Sequence, residues 1–146
     1  MNKRNILLGI LVLFIIAQFF RIDKNNPPTN VAQDFITLEK PPQAIATMIK
    51  NTCYDCHSNE TKYPWYTNIA PVSWWVKGHI DNGRKELNYS DWGTYKDKKK
   101  SHKFEEMAEL VETTEMPFIT YVVMHSEAKM SAEERKAMVD WFKSKE

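Results

Sequence analysis

The chain has 146 residues, with 20 basic and 19 acidic side chains and a formal net charge of +1, so it has room for one domain and no charge excess to draw it to nucleic acid. Apolar residues make up 42% and aromatics 12%, enough to build a core. Five Trp and seven Met suit packing against a large, irregular apolar object, although such residues also simply fill cores.

The N-terminus carries Lys3 and Arg4, followed by a run from Ile6 to Phe20 that is apolar apart from Gly9 and Gln18. As a helix this run spans about 22 Å against a hydrocarbon core of about 30 Å. Extension to Ile22, with Arg21 snorkelling, brings it to the lower limit of a spanning helix. It ends in Gln18-Phe19-Phe20-Arg21, without the small residues of a signal-peptide cleavage site, so an uncleaved signal anchor is expected over residues 1–22. Lys3 and Arg4 orient such an anchor with the remainder of the chain outside the cytoplasmic membrane. Residues 23–30, containing Lys24-Asn25-Asn26-Pro27-Pro28, have linker composition, and the folded domain is expected over 31–146.

Ala44, Ile45, Met48 and Ile49 form a helical face, which predicts a helix over Gln43–Thr52. It leads into Cys53-Tyr54-Asp55-Cys56-His57, which holds both cysteines of the chain. Two thiols about one helical turn apart reach the two vinyl groups of one haem, and the adjacent histidine falls under the iron; Cys-x-x-Cys-His is the spacing of c-type haem attachment. A zinc site lacks a second ligand pair among His79, His102 and His125, and a thioredoxin-like dithiol lacks neighbouring strands. A plain disulfide leaves His57 unexplained.

From Ser58 to Pro71 the prolines indicate a loop, yet Tyr63-Pro64-Trp65-Tyr66 makes it rich in aromatics suited to packing on a porphyrin. Pro64 or Pro71 is positioned to offer a carbonyl to His57 Nδ1. Ser73 is a candidate N-cap for a helix to about Leu87 with Val76, Ile80 and Leu87 on one stripe, His79 within it, and Lys77, Arg84 and Lys85 on a solvated face. The basic run Lys96–Lys103 is expected as a solvated loop, its functional alternative being a docking patch for an acidic redox partner or anionic headgroups.

Phe104, Met107, Ala108 and Val111 predict a helix over about Lys103–Thr113. Pro117 then biases Met116 to extended geometry in a loop, where its thioether is suited to be a sixth iron ligand. Met107 is expected in the core. Met124, His125, Met130, His79 and His102 are the competing ligands. Ser131-Ala132-Glu133-Glu134 is a capping box that opens a last helix over about Ser131–Lys143.

Taken together, Cys53 to Asn59, Tyr63 to Tyr66, Asn68-Ile69-Ala70-Pro71-Val72-Ser73-Trp74-Trp75, Met116-Pro117 and the capping box resemble the bacterial haem-binding domain family, small membrane-tethered relatives of the c-type cytochromes. The resemblance implies an all-α, cytochrome-c-like domain around one haem c held through Cys53 and Cys56, with His57 and Met116 as the iron ligands. The expected role is that of a monohaem electron carrier, not an enzyme. It would lie single-pass on the inner membrane, with the haem facing the periplasm and unidentified redox proteins as partners. The alternatives are a haem-based sensor or small peroxidase with an open sixth site, in which His125 or His102 assists, and a haem-free module whose cysteines form a disulfide.

Overall fold

A computed structural model describes residues 2–146, and the described chain is all helical, with no strand. The order is α1 (Lys3–Ala17), α2 (Phe35–Glu39), α3 (Gln43–Thr52), α4 (Tyr54–His57), α5 (Val72–Glu86), α6 (Asp97–Glu112), α7 (Ile119–Met124) and α8 (Ala132–Lys143). Short 3-10 turns lie at Val31–Gln33, Trp65–Asn68, Tyr89–Thr94 and Ser126–Ala128.

Helices α6 and α8 pack along one another and, with α3, enclose a core of Phe35, Ile49, Trp92, Phe104, Met138 and Phe142. Phe35 is its hub: the rings of Tyr89 and Trp92 lie 4.8 Å away edge-on, with Phe104 at 5.8 Å and Trp141 at 5.9 Å. Such edge-to-face pairs add about 0.5–1.5 kcal/mol each beyond the area they bury. The position of Phe35 is set by α2, which is only one turn long. Asp34 caps its start by accepting from the Ile36 N–H at 2.9 Å, and Lys40, in the left-handed region at φ 47°, ends it.

Two expected elements are displaced. The basic run is the first half of α6 and not a loop, because lysine is a good helix former and α6 gains i,i+3 and i,i+4 pairs from His102 and Lys103 to Glu105 and Glu106. Helix α1 stops at Ala17 instead of extending to Ile22, because the Gln18 side chain turns to Ala70. It donates to the Ala70 carbonyl at 3.1 Å and accepts from the Ala70 N–H at 3.0 Å. Among the described residues no helix is long and apolar enough to cross a membrane.

The segment expected as a linker is non-helical but is bound along the domain as a strap. Lys24 reaches Asn68 at 2.6 Å, Asn26 donates to the Thr61 carbonyl at 2.9 Å, and the Pro28 carbonyl accepts from Asn59 at 3.2 Å.

Candidate functional site

The Cys-x-x-Cys-His motif begins where α3 ends. Cys53 closes α3, the one-turn α4 follows at once, and both thiols are unpaired. Burial pushes both thiols up, Cys56 to about 11 with the Asp55 carboxylate adding to the effect, so both are protonated at neutral pH. Tyr54, between them in sequence, turns inward, stacks on Tyr89 at 5.1 Å and donates to both Asp34 carboxylate oxygens, at 3.1 and 3.0 Å. Asp55 turns the other way, accepting from Tyr121 Oη at 2.9 Å and from the Lys62 N–H at 3.0 Å. The two residues inside the motif thus anchor it to opposite sides of the domain.

His57 is oriented by α5. Its Nδ1 lies 2.9 Å from the Gly83 carbonyl and 3.1 Å from the Leu87 carbonyl. Carbonyl oxygens only accept, so Nδ1 holds the proton, while burial pulls the imidazole pKa below its usual value and keeps the ring neutral. The lone pair is therefore on Nε2. These acceptors replace the expected Pro64 and Pro71, whose loop is used otherwise. The loop's Tyr66 Oη pairs with His125 Nε2 at 2.7 Å, and Trp65 is exposed.

Gly83 is also where α5 presses on α4, since a Cβ there would stand 2.6 Å from the Cys56 carbonyl oxygen. The next residue, Arg84, leaves the expected solvated face. It donates to the Ser58 carbonyl at 2.7 Å, to Thr61 Oγ1 at 2.9 Å and to Asn26 Oδ1 at 2.7 Å, tying motif, loop and strap together.

Cys53, Cys56, His57 and Met116 all line one cleft of about 610 Å³, with Leu87, Met107 and Phe142 among its apolar walls. Met116 lies in the loop between α6 and α7. The loop is fixed by its N–H to the Leu110 carbonyl at 2.9 Å, and by Arg135 of α8, which donates to the Val111 carbonyl at 2.7 Å and the Met116 carbonyl at 3.3 Å. Arg135 has no sequence signature beyond its place after the capping box. Met107 is core, accepting from Tyr89 Oη at 3.0 Å.

A second, apolar cavity of about 520 Å³ adjoins the first, sharing Cys56, His79, Phe118 and Tyr121 with it. Tyr63 lines it and holds the one buried side-chain polar atom without a hydrogen-bond partner among the described residues. His79 stands where the cavities meet, its Nδ1 2.9 Å from the Trp75 carbonyl of its own helix. His125 is 12% exposed at its side chain and held between Tyr66 and Glu127, and Met124 lines the apolar cavity. His102 is exposed on α6, beside Glu105 and Glu106. No three His, Cys, Asp or Glu side chains among the described residues gather as an ion-binding cluster.

No curated protein and no solved structure matches the chain. A family model, the haem-binding domain, matches residues 12–144, nearly the whole length and including both cysteines, His57 and Met116. The chain belongs to the haem-binding domain family, and the cleft around Cys53, Cys56 and His57 is its candidate haem site.

Proposed function

We infer that this protein is a monohaem c-type cytochrome. Cys53 and Cys56 would hold its haem covalently and His57 and Met116 would ligate the iron, and the protein passes single electrons between unidentified redox proteins at the periplasmic face of the cytoplasmic membrane. The observation that carries the reading is the state of the motif. Two free thiols and a neutral histidine with its Nε2 lone pair uncommitted open on one apolar cleft that also holds a loop thioether. That donor set fits haem: an imidazole and a thioether that would hold the iron, and apolar walls for the ring.

When bound, haem supplies one-electron chemistry at the iron. The chain's residues hold and tune it. The Gly83 and Leu87 carbonyls fix the tautomer and ring plane of His57 and raise its basicity as a ligand. Met107, Leu87 and Phe142 keep water from the cleft, and Arg135 holds the Met116 loop against it. Outside this cleft α1 is apolar on every side, and none of its residues is buried, which favours an anchoring role for it.

The test is a reduced-minus-oxidised visible spectrum of the full chain, matured with cytochrome c machinery and washed under denaturing conditions. Haem that stays with the chain, with a thioether-type α band, is expected. Haem that washes out overturns covalent attachment. Rapid, complete binding of carbon monoxide by the ferrous protein overturns the six-coordinate assignment in favour of an open-site sensor or peroxidase. His125 is poorly placed to serve such a site, being engaged by Tyr66 and Glu127.

A further inference from the structure

The corner where α1 leaves the domain has an unusual composition. Gln18 is bonded to both the N–H and the carbonyl of Ala70, so the end of α1 is fixed to the start of α5 at two points. The Trp74 indole N–H donates to the Phe20 carbonyl at 2.7 Å, adding a third. Around these bonds lie large apolar side chains facing outward: Phe19 is 81% exposed, Phe20 65% and Trp74 42%, with Ile69 beside them at 36%. Arg21 is exposed next to them.

Exposed singly such residues mean little, but a contiguous apolar corner marks a contact surface. What it contacts follows from its continuity with α1. The apolar part of that helix, residues 6–17, is about 18 Å long, about 12 Å less than a hydrocarbon core. A short anchor reaches across a bilayer only if the residues at its end come down to the hydrocarbon boundary. Here those residues are aromatic and apolar, with a tryptophan whose polar N–H is already satisfied and an arginine free to reach headgroups, the composition of an interfacial belt.

We propose that the corner of Phe19, Phe20, Ile69 and Trp74 seats in the interfacial zone of the phospholipid bilayer that α1 enters, holding the haem domain in one orientation on the lipid surface. The proposal rests on the anchoring role given to α1 above. Its consequence runs along α5, a single helix with Trp74 in its first turn and Gly83, the acceptor for His57, near its end. The rise from Trp74 to Gly83 is about 14 Å. The corner and the cleft are thus opposite ends of one rigid rod, and seating the first sets the height of the second above the membrane.

The experiment uses the full haem-loaded chain labelled with 5-fluorotryptophan, in vesicles of phosphatidylethanolamine and phosphatidylglycerol with and without lipid spin-labelled near the headgroup. The fluorine resonances are assigned by single Trp→Phe variants. The expected result is that the Trp74 signal broadens severalfold more with spin-labelled lipid than the signals of Trp92 and Trp141. Equal broadening, while the chain floats with the vesicles and resists carbonate extraction, overturns the seated corner and leaves the anchor standing. A chain that does not float with the vesicles overturns both.

Discussion

Two carbonyl oxygens share one N–H at His57, and that arrangement settles which nitrogen faces the cleft. The same logic applies to His79, whose Nδ1 faces the Trp75 carbonyl and whose Nε2 is left with the lone pair, so the cleft offers a second imidazole as well as the Met116 thioether. The two are separable by substitution. With Met116 as the sixth ligand, Met116→Ala should abolish the near-infrared thioether–iron band and let the ferrous protein bind carbon monoxide. It should also lower the potential by on the order of 0.1 V or more, within the roughly 0.8 V that axial ligation spans. His79→Ala should change none of these, and the reverse pattern reassigns the ligand to His79. The motif and the Met-Pro loop were legible because side-chain chemistry announces them. The residues that orient them were not: Gly83 and Leu87 act through backbone carbonyls, and Arg135 through hydrogen bonds to the Val111 and Met116 carbonyls, which leave no pattern in a sequence.

Helices long enough to show an apolar stripe were read nearly to the residue. Gln43–Thr52 stands as expected, α8 starts one residue after its capping Ser131, and α5 runs Val72–Glu86 with Pro71 and not Ser73 at its N-cap. What escaped was short or lacked a stripe: α2 and α7 span less than two turns, and the lysine half of α6 has no buried side chain before Phe104. Tertiary contacts, invisible in periodicity, hold these pieces. The α4–α5 contact is the clearest case and the easiest to test. Gly83→Ala should push α5 off Cys56 and cost about 1–3 kcal/mol in urea unfolding, as overpacking does. It should also lower haem incorporation by displacing the carbonyl that serves His57. Gly78, on the same helix with nothing within 4 Å of a Cβ, is the control, and Gly78→Ala should be neutral or stabilising by up to about 1 kcal/mol. Equal losses in both variants would mean that α5 is sensitive in general and that its approach to Cys56 is not special.

Across the molecule, composition misleads most at residues 23–30, where two prolines and three asparagines suggest a free tether. Prolines hold the chain extended and asparagines supply amides to a partner surface, so the same residues serve a strap laid on the domain, and no local rule distinguishes the two uses. The difference is made at long range by Arg84, whose guanidinium bridges Asn26 on the strap, Thr61 in the loop and Ser58 beside the motif. Hydrogen bonds of this kind contribute about 0.5–1.5 kcal/mol each in net terms. Losing the one that reaches the strap, to Asn26, should raise the open population of the strap by roughly 2- to 10-fold, at about 1.4 kcal/mol per decade. Trypsin reads that population directly, because Arg21 and Lys24 lie at the start of the strap. In detergent-solubilised full chain, cleavage after Arg21 and Lys24 should be slow in the wild type and accelerate by that factor in Arg84→Ala, while cleavage at Lys98 and Lys99, exposed in the first turn of α6, keeps its rate. If both regions accelerate alike, Arg84 supports the whole fold and not the strap. If the wild type is already cut after Lys24 far faster than at Lys98 in α6, the segment is a free tether in solution and not a strap.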